Sequence, residues 1–136
     1  MNETLPAERD DLHIDVNSLG VEEAVPRLID HAAGLMASDL YFCTNENHVA
    51  VSIRHLGVLR LISVLQLDFG RRCMAHVKAV AGMDVAERRR PLDGRRIYQR
   101  PGGAQVDLRI NTRRGEEQRQ RHARDTHIRK MVPLHG

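Results

Sequence analysis

The chain has 136 residues, 21 Lys and Arg against 18 Asp and Glu for a formal net charge of +3, and 41% hydrophobic residues with no tryptophan. A single core typically takes roughly 100–150 residues, so this length holds one modest domain and excludes a separate catalytic domain beside it. Only Lys78 and Lys130 are lysines and neither follows a glycine, which excludes a Gly-Lys-Ser/Thr phosphate loop.

In chain order, residues 1–20 are polar and acidic and are expected to form a flexible leader. Val25, Leu28, Ile29, Ala32, Leu35 and Met36 then recur at three and four, which predicts a helix from about Val25 to Met36. Pro26 is expected in its first turn, where a missing N–H costs nothing, with Glu22 and Glu23 favouring the dipole. The apolar run Leu40 to Cys43, the alternation of Val49, Val51 and Ile53, and the run Val58 to Val64 read as three strands. Asn45-Glu46-Asn47 and Gly57 supply the turns, so consecutive strands should pair antiparallel. A second helix is expected after an Asp68 N-cap, with Phe69, Cys73, Met74, Val77, Val80 and Ala81 inward and Arg71, Arg72 and Lys78 on its polar face, stopping at Gly82. Beyond a charged connector, Ala86 to Pro91, a hairpin runs from Arg95 to Arg100, turns at Pro101-Gly102-Gly103 and returns from Ala104 to Thr112. Val106, Leu108 and Ile110 should face one way and Asp107 and Arg109 the other. The pattern is that of a small α+β domain.

Charge concentrates at the end of the chain. Residues 113–136 hold seven basic residues and three acids, a net of +4, whereas residues 1–112 net −1. This Arg-rich tail is expected to be disordered or loosely helical. No window offers the ~20 apolar residues of a membrane helix, and the acidic start does not suit an export signal. Cys43 and Cys73 lie thirty residues apart with no Cys-x-x-Cys pair, so reduced thiols in a cytoplasmic protein are expected. His122 and His127 lack a second ligand pair, and no metal site is expected.

The segment Val80 to Arg95 (VAGMDVAERRRPLDGR) followed by Val106 to Thr112 (VDLRINT) resembles the amino-terminal, pre-motor region of the type II secretion and type IV pilus assembly ATPases. Ala37-Ser38-Asp39-Leu40 and Gly57-Val58-Leu59 are similar to earlier motifs of that family, and the resemblance spans about residues 24–112. It implies a PAS-like domain over residues 21–112, packed against a RecA-like motor in a cytoplasmic, ring-shaped ATPase. The expected partners are the motor domain, neighbouring full-length subunits and the inner-membrane secretion or pilus platform, with peripheral membrane association only through those partners. ATP and Mg²⁺ are implied for the intact family and no cofactor for this chain alone, which has no catalytic residue of its own. Leu56 stands where the family usually has Asp, Leu92 where Gln is common, and Cys43-Thr44 where Glu-Pro often ends the first strand. From Arg113 the Arg-rich sequence departs from the family altogether, as a reading-frame shift or truncation before the motor would produce.

By this resemblance Arg95 and Arg109 are the candidate nucleotide contacts, made only when a motor domain is present, because a guanidinium fork suits phosphate oxygens. Without a motor they are expected to be solvated or paired with a neighbouring acid such as Asp93 or Asp107. Arg88, Arg89 and Arg90 are the candidate interaction residues toward a neighbouring subunit. Nucleic acid is not an expected partner, because no aromatic residues interleave the Arg88 to Arg90 cluster. A small basic nucleic-acid-binding protein acting through the tail is the competing reading.

Overall fold

The computed structural model describes residues 12–81, 92–114 and 124–134. In chain order these form α1 (Val21–Gly34), β1 (Asp39–Thr44), β2 (His48–His55), β3 (Val58–Gln66), α2 (Leu67–Val80), β4 (Leu92–Gln99), β5 (Gln105–Arg114) and β6 (Arg124–Leu134). The strands make one antiparallel sheet in the order β3-β2-β1-β6-β5-β4. The expected α+β order of helix, three strands, helix and hairpin is present.

Alternation in the strands sorts the sheet into two faces. Inward are Leu40 and Phe42 of β1, Val49, Val51 and Ile53 of β2, Val106, Leu108 and Ile110 of β5, and Ile128 of β6, all buried. They pack with Ala24, Val25, Leu28, Ile29 and Ala32 of α1 and with Phe69, Cys73, Met74 and Val77 of α2. A bulge in β3 opposite Val51 and Ser52 turns both Ile62 and Ser63 inward. α2 approaches the sheet at Gly70, where a Cβ would lie within 2.5 Å of Val49 Cβ.

Several expectations are corrected. α1 begins at Val21, so Pro26 lies inside the helix rather than in its first turn. Its carbonyl still accepts a hydrogen bond from Tyr98 Oη (3.2 Å), which ties β4 to the helix. Asp68 is in the first turn of α2, not at its cap, which is Gln66. Lys78, assigned to the polar face, is buried. The leader is not flexible over its described part. Leu12, Ile14 and Val16 alternate with His13 and Asp15, and Val16 is in the core. Ile14 N–H donates to the Ile62 carbonyl (2.9 Å), Ser63 Oγ donates to the Ile14 carbonyl (2.7 Å) and His31 Nε2 donates to the Leu12 carbonyl (2.7 Å).

The tail is the largest correction. Over residues 124–134 it is neither disordered nor helical, but is strand β6, inserted between β1 and β5. The cause is local. Thr126 and Ile128 alternate with His127, so one face of the strand is apolar enough to bury, and Ile128 sits in register between Leu40 and Ile110. The cluster Arg88 to Arg90 lies outside the described residues, as does His122.

Candidate functional site: the uncovered sheet face

Both helices pack on the inner face, which leaves the other face of the sheet uncovered by any described element. Register assembles its side chains into rows running across the strands. One row contains Arg54 of β2, Asp39 of β1, the Arg129 position of β6, Arg109 of β5 and Arg95 of β4. The same pairings stack Ile53, Leu40, Ile128 and Ile110 directly behind it in the core. Arg54 and Arg109, and the Arg129 position, therefore stand next in sequence to a buried residue of the inner face, whereas β4, which carries Arg95, has no fully buried residue among those described.

Arg95 and Arg109 are brought together as directly opposed positions on β4 and β5. Arg95 reaches diagonally to Asp107, donating from Nε to Oδ1 (3.0 Å) and from Nη2 to Oδ2 (2.9 Å) in a bidentate fork. That bond, opposed by slight burial and helped by the charges of Arg95 and Arg109, holds the Asp107 carboxyl below its ordinary range. Arg109 is exposed on the same strand two residues on, and among the described residues no ion pair engages it. One of the two candidates is thus occupied by an acid, while the other presents its guanidinium to solvent.

A second group on this face was not foreseen. His127 Nε2 donates to Asp39 Oδ1 (2.9 Å), and Ser38 Oγ donates to Asp39 Oδ2 (2.6 Å). Burial opposes the Asp39 charge, but these two hydrogen bonds and the nearby His127 and Arg54 charges outweigh it, and the carboxyl is held below its usual range. Tyr41 stacks on His127 with ring centroids 4.2 Å apart and planes 14° from parallel. Arg54 donates to Tyr41 Oη (3.3 Å) and lies 5.9 Å over its ring. Period-two reading of Asp39 to Thr44, in place of one apolar run, would have put Asp39, Tyr41 and Cys43 on a common polar face. His127 had no such signal without the strand that carries it.

No three His, Cys, Asp or Glu side chains among the described residues cluster to hold a metal ion. The Cys73 thiol is buried, and desolvation pushes it up to about 11, far from a reactive thiolate at neutral pH. No described helix is long and apolar enough to cross a membrane.

Comparison with known proteins gives a consistent picture. The family described as "Type II/IV secretion system protein" matches residues 16–116. Type II secretion system protein E of Klebsiella pneumoniae is 34% identical over 110 residues, covering 81% of this chain and 22% of that protein. Type IV pilus assembly ATPase PilB of Acinetobacter baylyi is 34% identical over 88 residues, covering 65% of this chain and 15% of that protein. The X-ray structure of the Legionella pneumophila ATPase DotB matches with a TM-score of 0.52 at 18% identity, over 76% of this chain and 28% of that one, a likeness of fold. The chain spans 22% of the secretion relative and 15% of the pilus relative.

Proposed function

The chain belongs to the type II/IV secretion system protein family, and from that premise we propose that it is the pre-motor interaction domain of a secretion or pilus assembly ATPase, inactive in hydrolysis by itself. The observation that carries the reading is the uncovered sheet face, where Arg95 and Arg109 stand opposite each other on strands anchored by Leu108 and Ile110. A flat face with polar side chains and fixed guanidinium groups suits docking against a second folded domain.

The motor domain is the proposed occupant of this face. ATP with Mg²⁺, bound to the motor, brings phosphate oxygens that guanidinium groups can meet. Arg109 fits that contact as it stands, because among the described residues no ion pair engages it. Arg95 fits once it gives up or shares Asp107, which makes it a positioning partner in the present geometry. Arg88, Arg89 and Arg90 are proposed to face a neighbouring subunit or the inner-membrane platform, with a cytoplasmic location and membrane proximity through those partners.

Calorimetric titration of the 136-residue chain into the part of the Klebsiella pneumoniae relative that it does not cover tests the reading. The expected result is a complex whose ADP affinity exceeds that of the uncovered part alone. Arg109→Gln should remove about tenfold or more of that affinity, as loss of a charge-assisted hydrogen bond does. Absence of a complex, or an Arg109→Gln complex of unchanged ADP affinity, would contradict it.

A further inference from the structure

We propose that the β2–β3 hairpin tip, together with the chain end of α1 beside it, docks on an anionic lipid surface. Four large apolar side chains are exposed there: Leu56 (89%), Met36 (85%), Val58 (59%) and Leu59 (55%). Leu56 and Val58 belong to the tip of the hairpin, where His55 and Val58 close the ladder around a two-residue turn. Met36 belongs to the same end of the sheet, because Ser38 N–H donates to the Arg54 carbonyl (3.1 Å) and Asp39 pairs with Arg54.

Two of these side chains are held out at a cost. Met36 (φ 60) and Leu56 (φ 53) are the only non-glycine residues with positive φ among the described ones, and they are also the two most exposed large apolar residues among them. Glycine or asparagine would satisfy either backbone without strain. Keeping a long apolar side chain at each position thus costs backbone strain, and neither side chain contributes to the core.

Charge selects the surface. No Asp or Glu occurs between Asn47 and Leu67 or between His31 and Ser38, while Arg54 and Arg60 flank the tip on its two strands. Of the acids that border these segments, Asp30 is paired with Arg100 (2.8 Å) and Asp39 accepts a hydrogen bond from His127 (2.9 Å), while Glu46 and Asp68 lie at the opposite end of the β2–β3 hairpin from its tip. An apolar tip inside a basic collar fits the boundary of an anionic bilayer, whose acyl region accepts the side chains and whose headgroups meet the arginines. The tip is a two-residue turn whose most apolar side chain is 89% exposed, so a deformable acceptor suits it better than a preformed protein pocket.

Cosedimentation of the full chain with vesicles tests this. The expected result is binding to phosphatidylcholine vesicles containing about 30% phosphatidylglycerol, weakened by salt, with little binding to phosphatidylcholine alone. Met36→Gly and Leu56→Asn should each cut the partition coefficient by about fivefold, and Arg60→Gln by a smaller factor that vanishes at high salt. Both tip substitutions relieve backbone strain, so thermal melts should show folding intact or improved, and lost binding cannot be assigned to unfolding. The proposal is overturned if the wild type stays in solution with anionic vesicles, or if the double variant binds them as well as the wild type. It is equally overturned if the tip instead drives self-association, seen as a concentration-dependent oligomer that Leu56→Asn dissolves without any vesicle affinity.

Discussion

At single residues, backbone geometry decides more than side-chain chemistry. Gly70 is the contact point of α2 on the sheet, and its Cβ-less approach is set against Val49, a buried β-branched residue with no rotamer that withdraws its own Cβ. Ala would gain about 1 kcal/mol of helical preference but force the helix off the strand, a strain that typically costs ~3 kcal/mol. Gly70→Ala should therefore destabilise the domain by about 2 kcal/mol in urea denaturation, and an unchanged or higher midpoint would refute the close packing. Leu56 illustrates the converse. With φ 53 at Leu56 and φ 80 at Gly57, the turn has the left-handed pair that favours Asn-Gly or Asp-Gly. Replacing Leu56 by Asn should raise stability by ~0.5–1 kcal/mol, since the exposed leucine leaves no core contact behind. A lowered melting temperature would show that Leu56 packs on something.

Among the elements, the two segments hardest to read were those whose alternation is diluted by charge. Helices α1 and α2 and strands β2 and β5 were legible because each has at least three apolar residues at the right period, and β1 and β3 because each is a short apolar run. The stretch 12–16 has Leu, Ile and Val at period two, but acids around it made composition outweigh pattern. β6 is harder still, with Ile128 the one large apolar residue among Arg124 to Arg129, so its place between β1 and β5 comes from tertiary pairing. For the candidate site, alternation placed Arg109 on the polar face of its strand while its candidacy came from the family resemblance, and the Arg95–Asp107 fork needed the register of β4 on β5. The Tyr41–His127 stack needed β6 itself. A single substitution separates a structural tail from a solvated one. Ile128→Ala should cost about 2–4 kcal/mol, the usual penalty for emptying a buried aliphatic site. Denaturation that does not distinguish it from wild type would mean that residues 124–134 are not part of the folded sheet.

For the whole molecule, the polar face couples folding to pH through its carboxylates. Asp107 is held low by the Arg95 fork, Asp15 by hydrogen bonds from the backbone and side chain of Asn17, and Asp39 by Ser38 and His127 against the opposing effect of burial. Each has a folded value below the ordinary 3.8. A group of this kind binds its proton more readily in the unfolded chain, so folding gains stability as pH rises through that window. The contribution is complete above 3.8 and is lost as pH falls through the lower folded values. These groups therefore predict an acid limb below about pH 4, with no change from them between about pH 5 and 7. Asp39 and Asp107 lie on neighbouring parts of one face but on strands separated by β6, so their contributions should add. Guanidinium midpoints measured from acid to neutral pH check this: Asp39→Asn and Asp107→Asn should each flatten the limb, and the double variant should flatten it by the sum. An acid limb as steep in the double variant as in the wild type would place the responsible carboxylates elsewhere and remove the ionic fastening of β1 to β6 and of β4 to β5 from the account of stability.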